Sequence, residues 1–518
     1  MLFDEAYYRS EHGAVFGDTD PFEHFMHRGW RDGLNPSASF DTRSYLDANP
    51  DVAAAEINPL LHFVLSGAAE GRSSARRPGV AGTLRAVVMG ALPPSERARH
   101  YADATDRRAP LSEESVLELL RRTALTHPSG LIVSISHDRY HKISGGVQNL
   151  VGDEERAFVA AGYGYVHLCP AVPLPMLAGI EQSESFAFIL TLNGDDVGVI
   201  RLSVLIWALT ETAVEGSARQ LVVHHLMGHA PETILALASS CGPVRPVVWV
   251  HDFFTICSSY ALLRNDVAFC GASDQASGAC TICAYGPDRK SHTARMRAFF
   301  STLRPNVVAP SASALEFWLQ RGGLAHTEAR VIPLARLVLD KPRPMPWARG
   351  SGRLHIGFAG APTVHKGWPI FEELARRHRG DDRYAFFAFS THPTHGSGIK
   401  HVPVQVSPAS RDAMVRALEA ASIDVVVNWT LCRETFSYTT LEALASGAYL
   451  LVRRESGNVW AEICAAGPRR GMALDSELEL QALFVSGEIA AFARGERMGG
   501  RVLQGRGTAD LLLADPMP

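Results

Sequence analysis

Apolar runs of strand length recur along this chain, separated by segments of helical spacing, and no other feature narrows its possible folds as much. Leu131–Ile135 is short and wholly buried in character, and Val147–Ala161 reads as the helix after it. Tyr163–Leu168, Leu221–Val223, Pro246–Val250 and Val307–Val308 continue the series. Asn193-Gly194, between Ala187–Leu192 and Val197–Ile200, signals a hairpin. A second series runs through Leu354–Phe358, Tyr384–Phe389, Ile423–Val427 and Tyr449–Val452. Continuous apolar strands alternating with helices predict parallel sheets covered on both faces. The Pro-rich stretch Lys341–Pro346 divides the two series, so the expectation is α/β with two doubly wound domains.

The first seventy-odd residues repeat themselves. Phe3-Asp4 and Tyr8 return as Phe40-Asp41 and Tyr45, an offset of 37. Asp20-Pro21-Phe22-Glu23-His24-Phe25 returns as Asn58-Pro59-Leu60-Leu61-His62-Phe63, an offset of 38, and Gly29 and Gly33 return as Gly67 and Gly71. Such a period marks a small stacked unit, and Asp or Asn before Pro reads as a helix start. The module is either a docking or acceptor-binding element or a spacer. The expected organisation is a helical repeat module (1–75), a linker (76–128), a first domain (129–335), a second domain (336–500) and a tail (501–518). Within the linker, Glu113–Thr126 reads as one amphipathic helix with Leu117, Leu119 and Leu120 on its buried side.

Composition excludes some partners. Lysine and arginine total 50 against 54 acids, a net charge of −4, which lacks the basic surplus of nucleic-acid binders. No run approaches the roughly 18 apolar residues of a spanning helix. Met1–Ser10 carries Asp4 and Glu5 and lacks an apolar signal core. A cytoplasmic protein is expected, and a membrane-bound acceptor would be met peripherally, at the inner face of the membrane.

Two motifs carry chemistry. Ser144-Gly145-Gly146-Val147-Gln148 opens a helix soon after the first strand, where glycines admit close backbone approach and free N–H groups favour a phosphate. Alone, Gly-Gly is often only a turn. Glu434 and Glu442 lie eight apart, directly after the strand ending at Val427. Carboxylates accept well from paired sugar hydroxyls, although acids also favour the first turns of any helix.

Glu434-Thr-Phe-Ser-Tyr-Thr-Thr-Leu-Glu442 with Ala443–Gly447 resembles the E-x7-E signature of family 4 retaining glycosyltransferases, which have the GT-B fold of two Rossmann-like domains facing a cleft. The resemblance spans roughly residues 130–485. It implies that Glu434 contacts the transferred sugar and Glu442 the nucleotide ribose, with the backbone of Phe436, Ser437 and Tyr438 near the diphosphate. His365-Lys366-Gly367 resembles the family's diphosphate-binding Lys segment, and Gly145-Gly146 its N-terminal glycine loop. His251-Asp252 resembles the His beside the reacting sugar, and Val223-His224-His225 the strand end before it. Many members carry an Arg after the glycine that here is Gly360; Ala361 stands in its place. The activity implied is transfer of a sugar from a nucleotide-diphosphate sugar to a glycan or lipid-linked glycan acceptor, with configuration retained and no catalytic metal. The other readings are another GT-B enzyme, such as a sugar-nucleotide epimerase or a phosphorylase, and a non-catalytic glycan or nucleotide binder.

Cys257, Cys270, Cys280 and Cys283 fall in one short segment that ends in a CxxC pair, a common half of a zinc site. Polar surroundings argue against core cysteines, and a reducing compartment argues against disulfides. A structural zinc held by these four is favoured over both. The segment and the repeats also resemble those of bacterial surface-polysaccharide transferases, which implies a polysaccharide or glycoprotein acceptor.

Overall fold

The computed structural model describes every residue except 1, 18, 38–39, 69, 71, 73–92, 99–104, 144, 181–185, 213–217, 275–277, 341–351, 392–397, 494–497 and 514–518. The expected divide at Lys341–Pro346, most of the non-helical linker, Ser144 and Gly71 therefore lie outside the described residues. Two compact units are present, one built from the N-terminal repeats and the other containing both series of strands.

Among the described residues, the larger unit holds two large sheets and two two-stranded ones. The first comprises β1 (Gly130–Ile135), β2 (Tyr163–Pro170), β3 (Ala187–Leu192), β4 (Asp195–Arg201), β5 (Arg219–Val223), β6 (Val247–Trp249), β9 (Asn306–Ala309) and β10 (Glu328–Val331), in the order β10-β9-β6-β5-β1-β2-β3-β4. A two-residue hairpin, β7 (Leu263–Arg264) with β8 (Ala268–Phe269), lies within the cysteine-bearing insertion. From β10 to β2 the pairing is parallel, and β3 and β4 are antiparallel. The second sheet is wholly parallel: β12 (Leu354–Ala359), β13 (Tyr384–Ser390), β14 (Ile399–Pro403), β15 (Val425–Asn428), β16 (Tyr449–Arg453) and β17 (Gly471–Leu474), in the order β14-β13-β12-β15-β16-β17. The α/β, doubly wound expectation holds for both. Helix Gly146–Ala160 returns the chain from β1 to β2, and Tyr438–Ala445 from β15 to β16.

The helix expected at Glu113–Thr126 has those bounds, started by Ser112, whose hydroxyl accepts from Ser115 N. Its buried side is Val116, Leu120 and Thr123, while Leu117 and Leu119 are half-buried. Positions 116, 119, 120 and 123 follow the i, i+3, i+4, i+7 spacing of one helix face, and Leu117 and Leu119 pack against the same core from its margins. The segment after residue 500 is built into the fold. Strand β18 (Gly500–Gln504) pairs antiparallel with β11 (Ala335–Leu339), and helix Thr508–Leu512 packs Ala509 and Leu511 into the core beneath helix Gly146–Ala160.

In the smaller unit the two repeats share a buried tyrosine, proline and glycine: Tyr8, Pro21 and Gly29 in the first, Tyr45, Pro59 and Gly67 in the second. Asp20 and Asn58 start short helices at Pro21–His24 and Pro59–His62, accepting backbone N–H groups as expected. Each helix runs into a wider turn ending at Gly29 or Gly67. Tyr8 OH pairs with His24 Nδ1 and Tyr45 OH with His62 Nδ1, both at 2.9 Å. A Cβ on Gly67 would collide with the Tyr45 hydroxyl, as one on Gly29 would with Tyr8. Gly67→Ala is expected to break the Tyr45–His62 bond at a cost of about 1–3 kcal/mol. Hydrogen exchange should show protection lost over residues 42–67 and unchanged in the two large sheets.

Candidate functional site

In each sheet the strand order reverses at one point, between β1 and β5 in the first and between β12 and β15 in the second. Open α/β sheets bind ligands beyond the carboxyl ends of strands at such points. The candidate residues follow these strands: Gly145-Gly146 after β1, His224 and His225 after β5, His251 after β6, Lys366 after β12, and Glu434 after β15.

Lys366 sits in the turn before helix Trp368–Arg377. Gly367 has φ 79°, and a Cβ there would collide with the Trp429 carbonyl oxygen. Only glycine adopts this turn against this neighbour without strain. The close approach presses Lys366 onto the segment leading to Glu434. Its Nζ lies 2.6 Å from Glu434 Oε1, which also accepts from Thr430 Oγ1 at 3.0 Å. Burial alone would raise the Glu434 carboxyl, but the Lys366 ammonium and the Thr430 hydroxyl hold it below its ordinary value. Burial would lower Lys366 in turn, and Glu434 raises it. The pair is thus charged on both sides, and the lysine side chain keeps 39% of its exposure, free to face a ligand.

Glu442 differs. Helix Tyr438–Ala445 starts at Ser437, whose hydroxyl accepts from Thr440 N, so Glu434 precedes the helix and Glu442 lies in its second turn. Glu442 is 6% exposed, and among the described residues no donor reaches its carboxyl group. Burial pushes it up from 4.5 to about 7.

Phe436 and Tyr438 point their rings into the core of the first lobe, 5.1 Å apart and edge to face. A Cβ on Gly146 would meet Tyr438 at 3.6 Å, an ordinary contact, so the two motifs read from sequence lie side by side. The lobes are further joined by Thr435 Oγ1 donating to the His251 carbonyl (2.5 Å), Ser311 Oγ donating to the Thr435 carbonyl (2.7 Å), and Arg411 pairing with Asp153 (2.7 Å).

His251 is 9% exposed, its ring stacked on Trp249 at 4.9 Å. Burial and the neighbouring His224, His225 and His137 drive it far below its ordinary value, so the ring is neutral. Its neighbour Asp252 is occupied structurally: it accepts from His225 Nε2 at 2.9 Å and from Phe254 N at 2.9 Å. Sequence reading missed Asp138, which accepts from Gln148 Nε2 at 2.5 Å and lies 3.2 Å from His137 Nε2. It missed Thr430 and Thr435 as well, whose roles depend on long-range contacts. It also missed Glu154. That residue falls at the spacing of Leu150 and Phe158, an acid in an apolar stripe, and this was the available signal.

The four cysteines line one cavity with Ser259, Tyr285 and Arg289. Arg289 Nη1 donates to Cys280 Sγ at 2.6 Å, and burial pushes the Cys257 thiol up to about 11. Among the described residues, no three His, Cys, Asp or Glu side chains are arranged to hold a metal ion. Nor, among them, is any helix long and apolar enough to cross a membrane.

No protein-family model and no curated protein matches the chain. Solved structures similar to it include HepE from Anabaena in complex with UDP-glucose, with 10% identity, TM-score 0.40, and 70% of this chain and 91% of that one covered. A glycosyltransferase from Rickettsia africae is 12% identical, with TM-score 0.42 and coverages of 70% and 90%. An O-GlcNAc transferase mutant from Thermobaculum terrenum is 16% identical, with TM-score 0.35 and coverages of 87% and 72%.

The Glu442 shift has a testable sign. A carboxyl whose pKa is raised on folding binds its proton more tightly in the native state. Its contribution is complete below about pH 4.5 and is lost as pH rises to about 7. Glu442→Gln should therefore match the wild type near pH 4.5 and exceed it at pH 8, by roughly 1–3 kcal/mol. Urea midpoints across that range measure the difference.

Proposed function

We propose that this chain is a glycosyltransferase that moves a sugar from a nucleotide-diphosphate donor to a glycan acceptor with retained configuration. The observation that carries this reading is the Lys366–Glu434 pair at the switch point of the second sheet, with Glu442 on the same segment buried and, among the described residues, without a donor. A charged lysine with partial exposure suits a diphosphate, and a buried acid lacking donors suits ribose hydroxyls. Gly145-Gly146 begins a helix whose first N–H groups have no intrahelical acceptor, and the protein itself leaves ordinary space at Gly146.

In the proposed reaction, the bond from the anomeric carbon to the diphosphate oxygen breaks and the bond to the acceptor oxygen forms on the same face. The acceptor's hydroxyl proton passes to the departing diphosphate. Lys366 and the helix N–H groups stabilise the charge that develops on that leaving group. Glu434 orients the transferred sugar, and His251 lies beside it as a neutral hydrogen-bonding group. The acceptor is a growing surface polysaccharide or a glycoprotein glycan, met in the cytoplasm or at the inner face of the membrane.

The first test is a panel of nucleotide diphosphates read as melting temperature. A ligand present at a hundred times its dissociation constant should add about 2.7 kcal/mol. The expected result is one nucleotide standing out, with its shift lost in Lys366→Ala and in Glu442→Ala. Glu434→Ala should keep the fold and abolish transfer. Nucleotide binding without transfer in the wild type would favour a binding module, a reading to which Ala361 lends weight.

We also propose zinc as the ligand of Cys257, Cys270, Cys280 and Cys283, supported by their spacing and the cavity they share. Binding would require Arg289 to leave Cys280. Elemental analysis of the purified protein should find about one zinc per chain, absent from a Cys280→Ser, Cys283→Ser variant. Metal-free, folded wild type would reject this site.

A further inference from the structure

Helix Gly146–Ala160 carries an acid on its buried side. Glu154 is fully buried, and its two carboxylate oxygens are each engaged. Oε1 accepts from Tyr165 OH at 3.1 Å and meets His224 Nε2 at 3.2 Å. Oε2 accepts the backbone N–H of Thr508 at 2.7 Å. The other nitrogen of His224, Nδ1, lies 3.1 Å from His251 Nε2, and the two rings stack within 11° of parallel. His251 Nδ1 is buried and, among the described residues, has no partner.

For a carboxylate at Glu154 and an uncharged ring at His224, these contacts leave one assignment of protons. The carboxylate only accepts, so His224 Nε2 carries hydrogen. His224 Nδ1 then accepts, and His251 Nε2 is the N–H that donates to it. His251 Nδ1 is left as a bare lone pair. The titratable groups around this ring are His224, His225 and His137, with Glu154 and Tyr165 behind His224. Burial together with the three histidines keeps His251 neutral, as the assignment needs.

The end of the chain holds the other side of the carboxylate. Gly507 has φ 61°, and a Cβ there would stand 2.7 Å from Glu154 Oε2. Thr508 reaches the acid through its N–H and also accepts from Trp249 Nε1 at 2.9 Å, the indole on which His251 stacks. The last helix thus grips both the acid that orients the histidine pair and the ring that flanks it.

We propose that Glu154 is a positioning residue: through His224 it holds His251 in the tautomer with Nδ1 bare, ready to accept a hydroxyl hydrogen from the ligand, and the C-terminal segment keeps Glu154 in place. The catalytic half of this statement rests on the donor-site reading above; the tautomer half does not.

The test is nitrogen NMR of the full chain labelled with 15N-histidine, with the His251 ring signals assigned by their loss in His251→Gln. The wild type should show a pyridine-type Nδ1 and a pyrrole-type Nε2, and a protonated Nδ1 would overturn the proposal without any variant. In Glu154→Gln the amide oxygen must turn to the Thr508 N–H, which can only donate. The amide NH2 then faces His224 Nε2, both rings reverse, and hydrogen appears on His251 Nδ1. Wild-type nitrogen signals in a folded Glu154→Gln would equally sink the idea. Gly507→Ala, which displaces the carboxylate without touching either ring, should give a mixture of the two tautomers. With transfer as readout, Glu154→Gln should lower kcat roughly tenfold to a hundredfold while the donor KM moves little. If the wild type binds no nucleotide, the donor-site reading fails while the nitrogen signals still decide the tautomer.

Discussion

The site depends on one segment, Trp429 to Ser437, being fastened along its length. Leu431 N bonds to the His365 carbonyl at 2.8 Å, which holds the segment against the lysine turn. Glu434 is clamped through its backbone, its N–H to Ser456 O at 3.2 Å and its carbonyl from Asn458 N at 2.9 Å. Thr435 then reaches across to His251 and Ser311 in the other lobe. The Glu434 carboxylate is held in turn by Lys366 and Thr430. The bonds across to the other lobe join short side-chain hydroxyls to main-chain carbonyls, which keeps the Glu434 segment and His251 in register.

Two acids eight residues apart are set to opposite states by their surroundings. Glu434 has a lysine and a hydroxyl and is held below its ordinary value; Glu442 is raised by burial, with no offsetting group among the described residues. Burial disfavours the charged form, and only a nearby cation or donor reverses that. A buried carboxyl without donors is costly in a free protein and useful in one that binds polyhydroxylated ligands, because the ligand supplies what the protein withholds. The ionised acid lies beside the partly exposed lysine.

Much of this was legible in advance. The core strands were found within a residue or two because parallel strands buried on both faces are unbroken apolar runs. The edge strands β10 and β14 were missed, since an edge is partly exposed and its residues are mixed; β17 was missed although it is mostly buried, four residues being too short a run to stand out. Strand β18 and the last helix were read as a tail, because their partners lie more than 150 residues back and no local pattern announces them. Lys366 and Glu434 could be named from motif resemblance, and their contact could not, since Gly367 packing on Trp429 is a tertiary fact. The fates of Glu154 and Asp153 differ. Adjacent acids on a helix point about 100° apart, so one faces the stripe of Leu150 and Phe158 while the other pairs with Arg411.

Stability gives no account of an acid at position 154. Taking a carboxylate out of water costs several kcal/mol even after relaxation, and hydrogen bonds typically offset that cost without exceeding it. A leucine between Leu150 and Phe158 would join the same apolar stripe without that desolvation, although Tyr165, His224 and the Thr508 N–H would then need other partners. What leucine could not do is accept from a tyrosine, a histidine and a backbone N–H at once, each from a different element: β2, the end of β5, and the last helix. A charge held by three donors has one orientation, and a histidine bonded to it has one tautomer. Geometry is therefore what the buried acid supplies, and the element that completes it, Thr508, comes from the part of the chain furthest from the first glycine motif in sequence. An intact C-terminal segment is thereby made a condition of an ordered histidine pair in the first lobe.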